Sequence, residues 1–170
     1  MRISRSCAKR ARYSWRGGSV TTHRETLQLP YRPEDLFELA SDVARYPEFI
    51  PWIKALQVSD RRESDGRMQC HAEASVGFKG FSETFVTDVD ARREGFAIDV
   101  SLVRGPFRKL RNTWRFAPGG EGSRVEFSIE FEFRNFVLQT LADANKAYAV
   151  KRVIDAFVKE AARRYAGAAA

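Results

Sequence analysis

The sequence predicts an α+β domain in which a curved antiparallel sheet closes on one long C-terminal helix. Two observations carry this expectation. From residue 53 to residue 133, apolar and polar residues alternate with a period of two, the pattern of strands with one wet face and one buried face. From Phe136 to Tyr165 there is no Gly or Pro, and apolar residues recur at helical spacing. Strands followed by a single closing helix give the α+β order.

Residues 1–19 stand apart from this domain, which is expected over 20–170. They hold Arg2, Arg5, Lys9, Arg10, Arg12 and Arg16 and no acidic residue. Removing these six from the 29 basic residues leaves 23 against 22 acidic ones, so the domain is close to neutral although the chain carries a net charge of +7. The basic balance therefore describes the leader, not the domain, and no DNA partner is expected. The leader has the composition of a mitochondrial transit peptide; a disordered basic tail, or a translation start assigned too far upstream, fits equally. Gly17-Gly18-Ser19 reads as the joint to the domain.

After the joint, Glu25–Leu29 alternates as a first strand. Pro33 suits a first helical turn, with Glu34 and Asp35 favouring its positive end. Leu36, Phe37, Leu39, Ala40 and Val43 form the apolar stripe of that helix. Tyr46-Pro47-Glu48-Phe49-Ile50-Pro51-Trp52 places two prolines among large apolar residues, which predicts a short helical turn or packed loop. In the alternating region, Met68, Cys70, Ala72, Ala74 and Val76 share one face. So do Ile98, Val100 and Leu102, then Leu110, Asn112, Trp114 and Phe116, then Val125, Phe127, Ile129, Phe131 and Phe133. Ser64-Asp65-Gly66, Arg93-Glu94-Gly95 and Gly119–Gly122 are the hairpin signals. In the last helix, Leu141, Tyr148 and Phe157 are expected to face Val100, Trp114 and Phe131 of the sheet.

Small residues (Cys70, Ala72, Ala74) opposite large ones (Phe85, Trp114, Phe131, Phe133) leave two possibilities open, a lined cavity or plain close packing. Signs of covalent chemistry are few. His23 lies near the leader and His71 on a polar strand face, neither beside a recognisable nucleophile. No HExxH or Cys/His pair suggests a metal, and no phosphate-binding glycine loop occurs. The two cysteines, Cys7 and Cys70, form no CxxC pair and predict no structural disulfide. Glu83 is a lone carboxylate on an apolar strand face, placed either to bond a ligand or to pair with a cation at a rim.

Four elements carry a resemblance: Leu29-Pro30-Tyr31, the Tyr46–Trp52 segment, Val76-Gly77-Phe78-Lys79-Gly80-Phe81, and Gly105-Pro106-Phe107-Arg108-Lys109-Leu110 followed by Trp114, Phe116 and Val125-Glu126-Phe127. In order and spacing, over about Thr26 to Ala166, the chain resembles the START-like coenzyme Q-binding proteins, a family that also contains bacterial ribosome-association toxins. The resemblance implies a helix-grip fold, also called Bet v 1-like, with a hydrophobic tunnel under the last helix. It implies ubiquinone or another isoprenoid as bound ligand, no covalent cofactor and no enzymatic step. The expected carrier or chaperone would support respiratory electron transport or quinone synthesis. The alternative partner is the ribosome. The implied place is the cytoplasmic side of a bacterial inner membrane, at its periphery, or the matrix side of the mitochondrial inner membrane.

The residues expected to line the tunnel are Phe49 and Trp52 from the proline-rich segment, then Phe78, Phe81 and Phe85. The later strands add Val100, Leu102, Phe107, Asn112, Trp114 and Phe131, and the last helix adds Leu141, Tyr148 and Phe157. Asn112 and Glu83 are the inward polar groups suited to a quinone head. Phe78 and Phe81 around Lys79 suit transient contact with a membrane surface, where aromatic rings settle near headgroups. Because a charged, glycine-jointed leader buries little surface, removing residues 1–19 is expected to leave the melting temperature unchanged. A clear drop in a thermal melt would show that the leader packs on the domain.

Overall fold

Each period-two segment becomes a strand in the computed structural model, which describes residues 20–167. The strands are β1 (Thr21–Leu29), β2 (Ile53–Ser64), β3 (Arg67–Phe78), β4 (Phe81–Arg92), β5 (Ala97–Arg104), β6 (Phe107–Gly119) and β7 (Gly122–Phe133). They form one seven-stranded antiparallel sheet in the order β1-β7-β6-β5-β4-β3-β2. β2 to β7 is a meander, and β1 returns to the far edge beside β7. The leader, residues 1–19, lies outside the described residues.

Turn chemistry fixes the register. Asp65-Gly66 and Lys79-Gly80 each have two consecutive positive φ angles (50° and 74°; 46° and 83°), as a two-residue hairpin turn with matching twist requires. Bulges interrupt pairing in β2 after Ile53 and Ser59, between β4 and β5 at Val86, and between β6 and β7 at Phe107. Each bulge bends its strand, so the sheet curves around its apolar face.

Helix α1 (Pro33–Ser41) starts at Pro33, and α2 (Tyr46–Phe49) follows a 3-10 turn at Val43–Arg45. Of the two arrangements expected for the proline-rich segment, a helical turn or a packed loop, Tyr46–Phe49 takes the first, and Ile50, Pro51 and Trp52 lead on into β2 outside the helix. β1 is four residues longer than its alternation suggested, because Thr21 and His23 still pair with Phe131 and Ile129. His23 lies within β1, where its Nε2 is 3.1 Å from Glu25 Oε2.

Helix α3 (Phe136–Tyr165) runs over the concave face. Asn135 caps it, its side chain accepting from the backbone N–H groups of Val137 and Leu138. One turn on, Gln139 is buried; its amide donates to Thr21 Oγ1 at 2.9 Å and its carbonyl accepts from Phe133 N–H at 2.7 Å. Thr21 in turn donates to Asp143. This network ties the start of α3 to β1 and β7.

The core is where α3 meets the sheet. Phe157 packs edge-on against Tyr46 (5.2 Å between ring centroids) and Phe49 (5.3 Å), and lies 4.8 Å from Trp114. Trp114 also meets Phe127 at 4.6 Å. Burying one such ring is worth roughly 1.5–3 kcal/mol. Exposed pairs such as Arg32–Asp35 contribute about 0–1 kcal/mol. The aromatic cluster, not the surface ion pairs, holds α3 to the sheet.

The far end of α3 is pinned differently. Glu160 is buried and accepts from Arg163 at 2.6 Å and Arg164 at 2.7 Å. The hydrogen bond from Arg163 is the main cause of its depressed pKa, about 2 against a usual 4.5. A depressed carboxylate pKa stabilises the fold above the unfolded value, and that stability disappears as pH falls from 4.5 towards 2. Glu160→Gln is expected to lower the melting temperature at neutral pH and to flatten its fall across this acid window. An unchanged acid profile would mean the cluster contributes nothing.

Candidate functional site: an apolar chamber under the last helix

Side-chain size decides where space remains between α3 and the sheet. On β3 the inward residues Ala72 and Ala74 are small, and they face Thr87 and Phe85 of β4 across the pairing. Val100 on β5 stands opposite Val89 on one side and Asn112 on the other. The space left over them is a chamber of about 230 Å³, closed above by Val153 and Phe157 of α3. A second, smaller cavity of about 100 Å³ lies towards the start of α3 and shares Val76 with the chamber. It forms a vestibule walled by Phe78, Phe81, Phe107, Phe133, Leu138 and Leu141.

Between the two stand Phe85 and Phe107, edge to face at 5.2 Å, with Phe133 4.3 Å beyond Phe107. Gly105 makes this wall possible. Its φ is +147°, and a Cβ there would fall 2.5 Å from the Phe85 Cβ, so only glycine lets the β5–β6 turn approach the ring.

Of the residues expected from the sequence, Trp52, Phe85, Val100, Asn112, Trp114 and Phe157 line the chamber, and Phe78, Phe81, Phe107 and Leu141 line the vestibule. Phe49, Leu102 and Phe131 line neither cavity. Phe49 backs Phe157 from outside, Leu102 pairs with Thr87, and Phe131 packs on Phe133 at 5.9 Å. Tyr148 corrects the expectation outright. It does not point to the sheet but is 51% exposed, its hydroxyl accepting from Arg152. Nine residues, about two and a half turns, separate Tyr148 from Phe157, which puts them on opposite sides of α3. The buried stripe is Val150, Ile154, Phe157 and Ala161.

Sequence reasoning missed Tyr46, Leu110, Ile129 and Val153 as chamber residues. Their signal was present: Leu110 has the parity of Asn112, Ile129 that of Phe127, and Val153 lies one turn before Phe157.

The chamber carries few polar groups, and those are mostly spent. Asn112 Nδ2 donates to the Ser128 carbonyl at 2.9 Å, and among the described residues no protein donor reaches its carbonyl oxygen. Thr87 donates to the Ala72 carbonyl at 3.4 Å, and Tyr46 to the Ala40 carbonyl. Burial raises the Tyr46 phenol pKa, so it stays neutral. Glu83 lies among the apolar vestibule residues, and among the described residues it forms no ion pair; the cation partner expected at a rim is not there. Cys70 is buried and its thiol pKa is raised by burial, which makes it a packing residue. His71 faces outward and contacts Asp60 at 3.0 Å.

Two larger hollows, about 550 Å³ and about 420 Å³, are surface clefts with charged linings. In the first, Arg67 pairs with Asp90, Arg61 with Glu63 and Arg93 with Glu38, as in a solvated surface. The apolar chamber, lined almost wholly by hydrophobic side chains, is the site with a lining suited to an apolar ligand.

A long helix gripped by a curved antiparallel sheet over an apolar chamber defines a START-like, helix-grip protein. The chain belongs to the polyketide cyclase/dehydrase and lipid transport family, whose model matches residues 29–158. It is 31% identical over 145 residues to the ribosome association toxin RatA of Rickettsia prowazekii, covering 84% of this chain and 97% of that protein. It is 28% identical over 159 residues to the mitochondrial coenzyme Q-binding protein COQ10 homolog B of Xenopus laevis, covering 88% of this chain and 61% of that protein. Among solved structures, an 18 kDa protein of Caulobacter crescentus superposes with a TM-score of 0.74 at 40% identity, covering 86% of this chain and 99% of that one.

Val100 tests whether the chamber is empty space. In a filled core, Val100→Trp costs about 1–3 kcal/mol or more. In this chamber it is expected to leave the melting temperature nearly unchanged. Strong destabilisation would show that the space is solid core.

Proposed function

We propose that the protein is a non-enzymatic carrier that binds ubiquinone or a related isoprenoid in the chamber under α3. The observation that carries this reading is the lining: some twenty side chains around about 230 Å³, nearly all apolar, with Asn112 and Thr87 as the inward polar groups of the sheet. A ring headgroup in the chamber would meet the Asn112 amide and the faces of Trp52 and Trp114. An isoprenoid tail would leave past Phe85 and Phe107 into the vestibule. Burial stabilises such a tail by about 0.8 kcal/mol for each CH₂ group, so affinity needs no charged contacts. Kinship to a protein named for coenzyme Q binding supports the same ligand class.

Covalent catalysis has no support in the lining. A proton-transfer role needs a titratable group at the reacting atom, and the chamber offers an amide, a hydroxyl and a neutral phenol. Among the described residues no helix is long and apolar enough to cross a membrane, which fits a peripheral carrier.

One observation favours a second reading, association with the ribosome: relatives bearing the name ribosome association toxin match at 31–34% identity over most of their length. Charge weighs against the domain itself contacting RNA phosphates, since 23 basic residues face 22 acidic ones in 20–170. The six cations of the leader would have to supply that contact.

The two readings separate in one set of experiments. Lipid extracts of the purified protein are expected to contain an isoprenoid quinone, and added short-tail ubiquinone should quench the fluorescence of Trp52 and Trp114 to saturation. No extracted lipid and no quenching would remove the carrier reading. Co-sedimentation with ribosomal subunits in that case would establish the second.

A further inference from the structure

The exposed apolar side chains of this protein are gathered at one end. Among the described residues the large exposed ones are Val20, Phe81, Val103, Phe136, Val137 and Tyr148. All but Tyr148 lie where β1 and β4 begin, β5 ends and α3 starts. The register places these points together: Thr21 stands opposite Phe131, Phe81 opposite Phe78, and Arg104 opposite Val86. Phe136 is 81% exposed and Val137 61%. Val137 is one helical turn before Leu141, a wall of the vestibule, so the exposed patch is continuous with the apolar mouth. The opposite end of the sheet, with turns Asp65-Gly66, Arg93-Glu94-Gly95 and Gly120-Glu121, carries none of these exposed side chains.

The charge around the patch is in positive excess. Lys79 bonds only Asn145 and lies 5.7 Å from the Phe78 ring; Arg134 bonds the Phe107 carbonyl; Lys54 bonds the Pro51 carbonyl. None of the three has a carboxylate partner among the described residues. Arg104 and Arg108 are neutralised by Glu73 and Glu132, and Asp143 is committed to Thr21 and Gln139. Among the described residues here Asp143 and Glu83 are the carboxylates without a cation, and Glu83 faces the vestibule. The six cations of residues 1–19 join the domain at Val20, at this same end.

We infer that this end docks on the surface of an anionic phospholipid bilayer, with Phe136, Val137 and Phe81 entering the interface and the vestibule opening onto it. Aromatic and aliphatic side chains ringed by unpaired cations are the composition that settles at such a surface. The sequence pointed to Phe78 and Phe81. Phe78 instead lines the vestibule, and the most exposed members of the patch lie at the start of α3.

This inference concerns the route to the chamber and not its ligand, so it is tested without quinone. The full chain is mixed with phosphatidylcholine vesicles and with vesicles containing phosphatidylglycerol, and sedimented. Binding to the anionic vesicles that weakens with added salt is expected. Phe136→Asp with Val137→Asp should weaken it by about tenfold or more, since two apolar side chains lose their burial. Tyr148→Asp, exposed elsewhere on α3, should leave it unchanged. Lys79→Gln with Arg134→Gln supplies a second variant pair, expected to reduce both binding and its salt dependence. Melting temperatures identify any variant that fails to fold. No binding by the full chain, or equal binding by both folded variant pairs, would overturn the inference. So would a dimer in solution that Phe136→Asp breaks and vesicles do not, because a second copy would then cover the patch.

Discussion

Everything in this structure depends on one packing constraint: seven strands present a concave apolar face, and one long helix has to cover it. A single cylinder about 10 Å across cannot fill a curved trough seven strands wide. α3 is held where large rings meet it, at Phe157 against Trp114, Tyr46 and Phe49. Over β3, where Ala72 and Ala74 are too short to reach α3, the trough stays open. The chamber is thus a consequence of sheet curvature and of residue size along one strand. Polar anchors hold the helix at both ends, Gln139 with Thr21 at the start and Glu160 with its arginines near the finish. The middle of the helix is left to apolar contact.

Much of this was legible in the sequence, because strand parity is a hard constraint. A one-residue slip would turn every inward side chain outward, so alternation alone put Val100, Asn112 and Trp114 on the correct face. Glycine positions marked the hairpins for the same reason, since two consecutive positive φ angles suit few other residues. The helix was harder to read. Tyr148 and Phe157 look like members of one stripe in a sequence rich in Ala, but the half turn accumulated over nine residues leaves Tyr148 in solvent when Phe157 is buried. Which inward residues touch a cavity, and which merely back its wall, depends on long-range packing; Phe49 and Phe131 show that parity does not decide it. The family resemblance added what periodicity left open, a cavity rather than close packing under the helix.

Function in this family follows the lining and the surface rather than the fold. A chamber lined by spent hydrogen-bonding groups offers a ligand burial, one amide and aromatic faces, and little that moves a proton. The wall of Phe85 and Phe107 separates it from a vestibule that opens among exposed apolar residues. Chamber and vestibule share Val76, and the Phe85–Phe107 pair stands between them. The two larger clefts have charged linings, and in the one around Arg61, Arg67 and Arg93 the arginines are paired with carboxylates, as on a solvated surface.

The central claim is that the space under α3 admits an isoprenoid quinone. The most direct measurement is a side-chain NMR titration of the full chain with a short-tail ubiquinone. It follows the Asn112 amide and the indole N–H groups of Trp52 and Trp114. Saturable shifts of these three signals, with the side chains of the outer cleft around Arg24 and Arg111 unmoved, are the expected result. Shifts confined to that outer cleft, or none at saturating quinone, would contradict a ligand chamber under the helix.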